Sequence, residues 1–493
     1  MTRGSRDDRK GLAAVWLASL LLWLPLAGVA DGGDELFPRP PAIREAVAFW
    51  TRIYTEVDTG GGLLHDDRHL GIVYETIRFT REQSRRSRER QVKARKRHYR
   101  AILRRLAQGR YQFLTAEEKR VLALWPKGTG RKEFLAAARR LRFQLGQADK
   151  FRAGLERAGQ WESHIRRALR EEGVPDELAA LPHVESSYNP RAWSRVGAAG
   201  LWQFTRSTGR RYLRIDHVVD ERMDPWRATH AAARLLRHNY DLTGSWPLAI
   251  TAYNHGVSGM RRAAEKLGTR DIGVIVEKYR GRTFGFASRN FYAAFLAALD
   301  VSRDAERWFG PVRGHEAEPV EELEVPGFVE MDALIAALGL DRDTLRRLNP
   351  ALREPVWNGT KYVPRGYRLR VPAEEGEVSR ATLATLGPQL LHARQIPDRF
   401  YTVRRGDTLS GIAARYDVRP NTLAELNGLR SRHFIRVGQV LRLPFSESGS
   451  PTHPPGAGTT VERPADGIYR VRRGDTLSRI ARRFDTTEKA LMA

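Results

Sequence analysis

The chain has 493 residues, no cysteine, and a formal net charge of +26 at pH 7, with 84 lysines and arginines against 58 acidic residues. The hydrophobic fraction of 41% excludes a disordered polyelectrolyte and suffices for folded domains, of which about three are expected at this length. The lack of cysteine excludes disulfides, thiolate metal sites, a cysteine nucleophile and a lipid-modified N-terminal cysteine. The basic charge favours an anionic partner without identifying it.

Residues 1–30 have the pattern of a secretory signal peptide. Basic residues come first, an apolar stretch follows up to about Ala27, and small residues flank a cleavable bond at 28–30. An uncleaved membrane anchor is the alternative, but Pro25 and the small residues favour cleavage. No later segment reaches the ~20 apolar residues that span a bilayer. We therefore expect an exported protein of the periplasm or cell envelope. Its anionic partners would be wall polymers or lipid headgroups, and nucleic acid is not expected.

Residues 31–150 are predicted to form a helical, arginine-rich N-terminal region. Arg81 to Leu106 has the pattern of one long polar helix with a thin apolar stripe. A solvated helix face is the simpler interpretation, and a surface for an anionic polymer is the alternative. His65-Asp66-Asp67 lacks the converging partners that a metal site needs, so neither a metal nor a cofactor is predicted.

Residues 151–310 are predicted to form a second helical domain, which contains a candidate catalytic acid. In the segment Gly173 to Pro190, Pro175 suits the first turn of a helix and Asn189-Pro190 ends it. Glu185 lies at the end of this helix beside its apolar face. Apolar surroundings raise the pKa of a carboxyl above the ~4.3 of a free glutamate, which is the state that a general acid needs.

Two later segments combine small residues with hydrogen-bonding groups. Residues 197–204 hold Trp202 and Phe204, whose flat apolar surfaces suit a sugar ring, with Gln203 between them. Residues 252–256 place Tyr253 and Asn254 before a glycine. Taken singly, each of these residues also has an ordinary structural explanation.

The order of these motifs resembles the soluble lytic transglycosylase fold, a lysozyme-like helical domain, over about residues 155–305. The motifs are Glu185-Ser186, Ser194, Gly200-Leu201-Trp202-Gln203, Ala252-Tyr253-Asn254, and 288–292. The resemblance implies that Glu185 is the catalytic acid. It also implies a set of substrate-binding residues: Ser186, Ser194, Gly200, Leu201, Gln203, Tyr253, Asn254 and Tyr292.

The C-terminal third contains a repeat. The stretch 401–410 recurs at 469–478, and the first copy continues as a strand, two short helices and a closing strand, a βααβ module over 399–445. A degenerate copy without the Gly-Asp-Thr turn lies at 320–373. A flexible linker of 446–467 precedes a half-module of 468–493, which lacks its second helix and closing strand and is not expected to fold alone. The modules resemble LysM domains, which implies glycan binding by Gly406, Asp407, Thr408, Leu409 and Asn427.

The predicted fold class is therefore mainly α: a lysozyme-like catalytic domain followed by small α+β modules. The whole chain resembles the membrane-bound lytic murein transglycosylase D family, although it has no cysteine to lipidate. That resemblance implies cleavage of the β-1,4 bond between N-acetylmuramic acid and N-acetylglucosamine in peptidoglycan, with 1,6-anhydro ends.

Three other functions are weighed against this one. A goose-type-lysozyme-like hydrolase would need a second carboxylate, for which Asp216, Asp220, Glu221 and Asp224 are the candidates, although Asp224-Pro225 is typical of a helix start. A non-catalytic peptidoglycan-binding scaffold is the second, and the set of Glu185, Gln203 and Tyr253 argues against it. A nucleic-acid-binding protein is suggested by charge alone, and the signal peptide argues against that.

Overall fold

The computed structural model describes residues 36–397, 399–416, 418–429 and 435–443. The predicted signal peptide, the linker of 446–467 and the half-module of 468–493 lie outside these residues. Two compact units divide the chain. The first runs to Ala192 and resumes from Thr229 to Glu316, and the second consists of Trp193–Ala228 and the chain from Ala317 onward.

The N-terminal part of the first unit combines helices with a small sheet. Its helices are α1 (Pro41–Thr55), α2 (Arg85–Leu106), α3 (Ala116–Ala123) and α4 (Arg131–Arg140). Three antiparallel strands form a sheet in the order β2-β1-β3: β1 (Gly61–Asp66), β2 (Val73–Arg78) and β3 (Leu141–Leu145). The sequence predicted only helices in this region. Strand β1 is buried along its whole length and therefore lacks the alternation that marks a strand.

The long polar helix is confirmed as α2. Ser84 caps its N-terminus by accepting a hydrogen bond from the Ser87 amide. The buried face of α2 carries Tyr99, Leu103 and Leu106, which pack against α4 and the sheet. Its remaining surface is solvated, which accounts for a 22-residue helix that is mostly charged.

The rest of the first unit is helical. Its elements are α5 (Ala148–Glu171), a 3₁₀ turn (Asp176–Ala180), α6 (Leu181–Ser186), α9 (Trp246–His255), α10 (Val257–Leu267), α11 (Ile272–Lys278), α12 (Phe286–Arg303) and α13 (Ala305–Phe309). Helix α1 packs against α5 and α12 and shares a core with them through Phe49, Ile53 and Phe151. The boundary predicted at residue 150 therefore falls inside α5, and α1 belongs to the same core as the helices after it.

The second unit contains two modules, each with a pair of strands that encloses short helices. The first pairs β4 (Val320–Glu324) with β5 (Arg368–Pro372), and the second pairs β6 (Arg399–Thr402) with β7 (Val440–Leu443), both antiparallel. Between the strands lie α14 (Met331–Leu338), α15 (Arg342–Leu348) and α16 (Glu354–Trp357) in the first module, and α18 (Leu409–Arg415) and α19 (Pro420–Leu426) in the second. Helices α7 (Arg206–Gly209) and α17 (Gly376–Ala384) complete the unit, and α8 (Pro225–Thr243) begins in it.

An asparagine makes the same three hydrogen bonds in both modules. Asn349 donates to the carbonyls of Leu345 and Arg370 and accepts from the Arg370 amide. Asn427 does the same with Leu423 and Arg442. The degenerate copy thus keeps the bond pattern that ties its second helix to its closing strand. Within the described ranges, no helix has the length and apolar character to cross a membrane.

Candidate active site

Glu185 lies in the last turn of α6, a short helix that begins directly after the 3₁₀ turn. The sequence predicted one continuous helix from Pro175, and the structure instead splits it in two. The preceding residue, Val184, packs into the core formed by α1, α5 and α12. That packing fixes the direction in which the short helix presents Glu185.

Helix α5 comes very close to the Glu185 segment at Gly154. A Cβ atom there would lie 3.0 Å from the carbonyl oxygen of Ser187 and 3.2 Å from Nδ1 of His183. His183 stacks on Phe151 of α5, with ring centroids 4.6 Å apart. Burial, with a smaller effect of Arg157, lowers the pKa of His183 to about 3, so its ring is neutral near pH 7.

The chain leaves α6 through a strained turn. Ser187 and Tyr188 have φ of 51° and 55°, and Gln203 has 48°; among the described residues these are the only non-glycine residues with positive φ. Such conformations cost on the order of 1–3 kcal/mol each and cluster at functional sites. The Tyr188 hydroxyl donates to the Ala179 carbonyl at 2.5 Å, and Arg157 Nη2 donates to the Ser187 carbonyl at 2.6 Å. These bonds hold the turn.

The Glu185 carboxyl sits in apolar surroundings. Burial raises the pKa of Glu185 from 4.5 to about 8, as the sequence predicted. The residue as a whole is nevertheless only partly buried. A carboxyl that is protonated at neutral pH can donate a proton as a general acid to a substrate within hydrogen-bond reach.

Two tyrosines lie within electrostatic reach of Glu185. The pKa values of Tyr253, on α9, and Tyr54, on α1, are both raised. Burial is the larger cause, and the charge of Glu185 is the smaller one. The sequence motifs indicated Tyr253 and gave no sign of Tyr54. Tyr54 packs against Phe151 at 4.9 Å between ring centroids, and only the fold brings α1 to this place.

Three further predicted residues of the first unit have structural contacts. The Ser186 hydroxyl accepts a hydrogen bond from the Asn189 amide at 3.2 Å. Asn254 Oδ1 accepts from the Ser288 hydroxyl at 2.9 Å and so ties the end of α9 to α12. Tyr292 is 1% exposed and its hydroxyl donates to the Pro38 carbonyl at 3.0 Å. A contact of Tyr292 with substrate stays a prediction.

Ser194 and Gln203 lie in the second unit, in the loop of residues 193–204, which we call the site loop. The Ser194 amide donates to the Ala198 carbonyl, and its hydroxyl accepts from the Ala198 amide, both at 2.9 Å. Gln203 Nε2 donates to the Gly200 carbonyl at 2.8 Å. Both side chains are partly exposed, and both are anchored to the backbone of the loop.

Arg222 holds the site loop through hydrogen bonds to its backbone, and no sequence motif indicated this role. It is 1% exposed and makes a two-point contact with Asp220, with Nε and Nη2 at 2.9 and 2.7 Å. Its Nη1 donates to the carbonyls of Gly197 and Phe204 at 2.8 and 3.1 Å. A buried arginine bonded in this way fixes both ends of the segment 197–204 within the site loop.

Gly200 and the apolar residues after it serve packing. Gly200 has φ of 79°, and a Cβ atom there would lie 1.7 Å from the carbonyl oxygen of Arg222, so the close approach is to protein backbone. Leu201, Trp202 and Phe204 are buried, which corrects the prediction that the two aromatic rings offer a surface to sugar. Substrate binding by Leu201 stays a prediction. The exposed aromatic side chain of this loop is Trp193, at 58% exposure.

The four acidic candidates for a second catalytic carboxylate are all engaged within the second unit. Asp220 binds Arg222, and Asp224 accepts from two amides at the start of α8, as its Asp-Pro sequence predicted. Burial alone would raise the pKa of Asp216, but hydrogen bonds from backbone amides and Arg214 hold it below its ordinary value. Glu221 accepts from the Arg214 amide at 2.6 Å, and burial raises its pKa. Among the described residues, no group of three acidic or histidine side chains could hold a metal ion.

The residues predicted to bind glycan in the second module also make contacts that stabilise the fold of that module. Asp407 Oδ2 accepts from the Tyr401 hydroxyl and the Arg404 amide, both at 2.7 Å. Thr408 caps α18, and Leu409 is buried. Asn427 binds the closing strand as described above. Gly406 has φ of 89° and open space around it, so the turn there stays accessible.

Comparison with known proteins adds independent information. The family model described as "Transglycosylase SLT domain" matches residues 162–275, and the LysM domain model matches residues 401–444 and 469–493. The chain is 30% identical over 360 residues to "Membrane-bound lytic murein transglycosylase D" of Escherichia coli strain K12, covering 68% of this chain and 73% of that protein. It is 40% identical over 91 residues to "Probable peptidoglycan endopeptidase LytE" of Bacillus subtilis strain 168, covering 18% and 26%.

Proposed function

Because the chain belongs to the membrane-bound lytic murein transglycosylase D family and is a peptidoglycan lytic transglycosylase with LysM domains, we propose that Glu185 alone carries its acid and base steps. The bond cleaved is the β-1,4 bond between N-acetylmuramic acid and N-acetylglucosamine, and the new ends are 1,6-anhydro-N-acetylmuramic acid. The observation that carries this proposal is the raised pKa, about 8, of the Glu185 carboxyl, in a residue that is only partly buried.

In the first step, protonated Glu185 donates its proton to the glycosidic oxygen as the bond to the anomeric carbon breaks. The 2-acetamido group of the muramic acid assists from the opposite side. Burial supports this step, since it keeps the carboxyl neutral at pH 7 without a neighbouring acid.

In the second step, the Glu185 carboxylate accepts the proton of the sugar's C6 hydroxyl, whose oxygen bonds to the anomeric carbon while the acetamido oxygen that assisted there leaves it. Water is not consumed, and Glu185 returns to its protonated form. A hydroxyl held within the same sugar has an effective molarity of up to ~10⁵–10⁸ M in favourable cases, so it outcompetes water in a closed site. The reaction therefore needs no second carboxylate.

The remaining site residues orient the sugar. We assign Ser194 and Gln203 to the sugar and its acetamido group, because both residues are partly exposed and their side chains are fixed to the loop backbone. We assign Tyr253 to orienting the Glu185 carboxyl, because the charge of Glu185 contributes to the raised pKa of Tyr253. Asn254 and Ser186 brace the turns that carry these groups.

The LysM domains hold the enzyme on its polymer substrate. Tethering raises the local concentration of glycan without adding contacts at Glu185. The accessible turn at Gly406 and Asp407 is the proposed glycan contact of the second module.

The enzyme is proposed to act in the cell envelope, where its basic surface meets anionic wall polymers or lipid headgroups. Helix α2 supports this through a row of exposed cations that make no ion pair within the described part of the chain: Arg86, Arg90, Lys93, Arg97 and Arg104. Such attraction weakens as salt is added, with a screening length of about 8 Å at physiological ionic strength.

The test is digestion of purified peptidoglycan by residues 31–493 and by two variants, with mass spectrometry of the products. We expect 1,6-anhydro ends from the wild type and none from Glu185→Gln. Glu177→Gln, which removes a partly buried carboxylate paired with Arg303 at 3.4 Å, is the matched control and should stay active. Reducing ends, lost in Glu221→Gln, would make the enzyme a hydrolase. Binding without any product from the wild type would make it a scaffold.

A further inference from the structure

The LysM-like module of residues 320–373 is joined to the chain segment that carries the site loop. Val219 and Leu352 form an antiparallel bridge, and the Arg353 amide donates to the Val218 carbonyl at 2.9 Å. The Asp220 amide donates to the Ala351 carbonyl at 2.8 Å. The side chains of Val218 and Val219 lie in the core of the module itself. The segment is therefore part of the folded module.

A buried arginine of strand β5 strengthens this connection. Arg370 is 2% exposed, and its Nη1 donates to Asp224 at 2.5 Å while Nη2 donates to Glu322 at 2.9 Å. Its guanidinium also lies over the ring of Trp226, 4.2 Å from the centroid. Asp224 in turn caps α8. A buried, two-partner arginine of this kind fixes geometry, because breaking it leaves an uncompensated charge.

The contacts continue from the module to the site loop. Asp220 is bonded to Ala351 through its backbone and to Arg222 through both carboxylate oxygens. Arg222 then holds the Gly197 and Phe204 carbonyls at the two ends of the segment that contains Gln203. Each link is between 2.7 and 3.1 Å long. A displacement of the module would therefore be passed to the loop.

We propose that the module of residues 320–373 is a positioning element of the catalytic machinery, which holds the site loop in its productive conformation through Arg370, Asp220 and Arg222. The proposal rests on the proposed roles of Ser194 and Gln203 in binding the sugar. The βααβ fold that binds glycan elsewhere is used here to set the geometry of a loop. Arg370 and Arg222 act through that loop and are positioning residues.

The test compares Arg370→Met with Arg368→Met in the full chain. Arg368 lies on the same strand, but it is half exposed and pairs with an equally exposed Glu324. Hydrogen exchange reports on the amides of residues 197–204, and kinetics on soluble glycan strands report kcat and KM. We expect faster exchange in these amides and a fall in kcat of roughly 10–100-fold in Arg370→Met, because small misplacements of binding groups cost rate. KM should change by less than about twofold, because misplacing contacts that form mainly in the transition state lowers kcat and kcat/KM equally.

The control Arg368→Met should match the wild type in both measurements. Arg370→Lys, which keeps a charge beside Asp224, should recover part of kcat. If Arg370→Met does not fold, amide exchange at 197–204 and kcat of Arg370→Lys are compared with those of the wild type instead. Folded variants with wild-type exchange at 197–204 and wild-type kcat would overturn the proposal. A wild-type kcat in Gln203→Ala would show that the loop does not take part in the reaction as proposed. The exchange data for Arg370→Met would still decide whether the module positions the loop.

Discussion

Replacing Glu185 by glutamine should make the protein more stable at neutral pH while abolishing its activity. At pH 7 the folded carboxyl, with its pKa of about 8, binds a proton, whereas the unfolded one, at 4.5, is ionised. This proton uptake lowers the free energy of unfolding by 1.36 kcal/mol per pKa unit, or ~3 kcal/mol at pH 7. Glutamine is neutral in both states and avoids the cost. Because the side chain is partly exposed, we expect a gain of about 2 kcal/mol.

The sign of the effect fixes its pH dependence. The folded-state pKa lies above the unfolded one, so the wild type loses stability as pH rises from 4.5 to 8 and is not further affected above that. The advantage of Glu185→Gln should therefore vanish near pH 4 and be largest above pH 8. Any effect of His183 cancels, since both proteins contain it.

Thermal unfolding at pH 4, 5.5, 7 and 8.5 measures this difference. A gain of about 2 kcal/mol corresponds to roughly 4–8 °C in Tm for a unit of this size. Glu177→Gln should show no gain that grows with pH. Equal Tm values for Glu185→Gln and the wild type at pH 7, or a difference that stays constant from pH 4 to 8.5, would refute the argument that burial of this carboxyl raises its pKa.

Three other predictions follow from the geometry. Gly200→Ala should be far more destabilising than Gly197→Ala, because both glycines have φ near 80° but only the first has backbone 1.7 Å from the new Cβ; urea unfolding compares them, and equal losses would refute this. Gly154→Ala should cost about 1–3 kcal/mol and lower kcat by displacing the Glu185 helix, and a variant with unchanged unfolding and turnover would contradict it. Tyr253→Phe should lower kcat at least tenfold with little change in Tm, measured by turnover of soluble strands; full activity would remove Tyr253 from the site.

The sequence identified the features whose signal is local. Glu185 at the end of an apolar face, the Asp224-Pro225 helix start and the βααβ order of 399–445 each depend on residues close together in the chain. The structure agrees with all three: burial raises the pKa of Glu185, Asp224 caps α8, and β6 pairs with β7. Short spacing suffices in these cases because the interactions are themselves short-range.

The sequence failed where distant segments meet. Tyr54 lies 131 positions before Glu185, and no motif around it indicates that α1 lines the acid. Trp202 and Phe204 have the composition of a sugar platform, but Arg222 and the close approach at Gly200 turn this part of the loop inward. The link from Arg370 to Asp224 spans 146 residues. Such contacts depend on tertiary packing, which periodicity and composition do not encode.

The most direct test of the central claim is digestion of purified peptidoglycan in H₂¹⁸O, followed by mass spectrometry of the new muramic acid ends. If Glu185 directs the C6 hydroxyl to the anomeric carbon, the ends are 1,6-anhydro sugars, one water lighter than reducing ends, and contain no ¹⁸O. Reducing ends that carry one ¹⁸O would mean that water attacks the anomeric carbon, and would contradict the single-carboxyl mechanism.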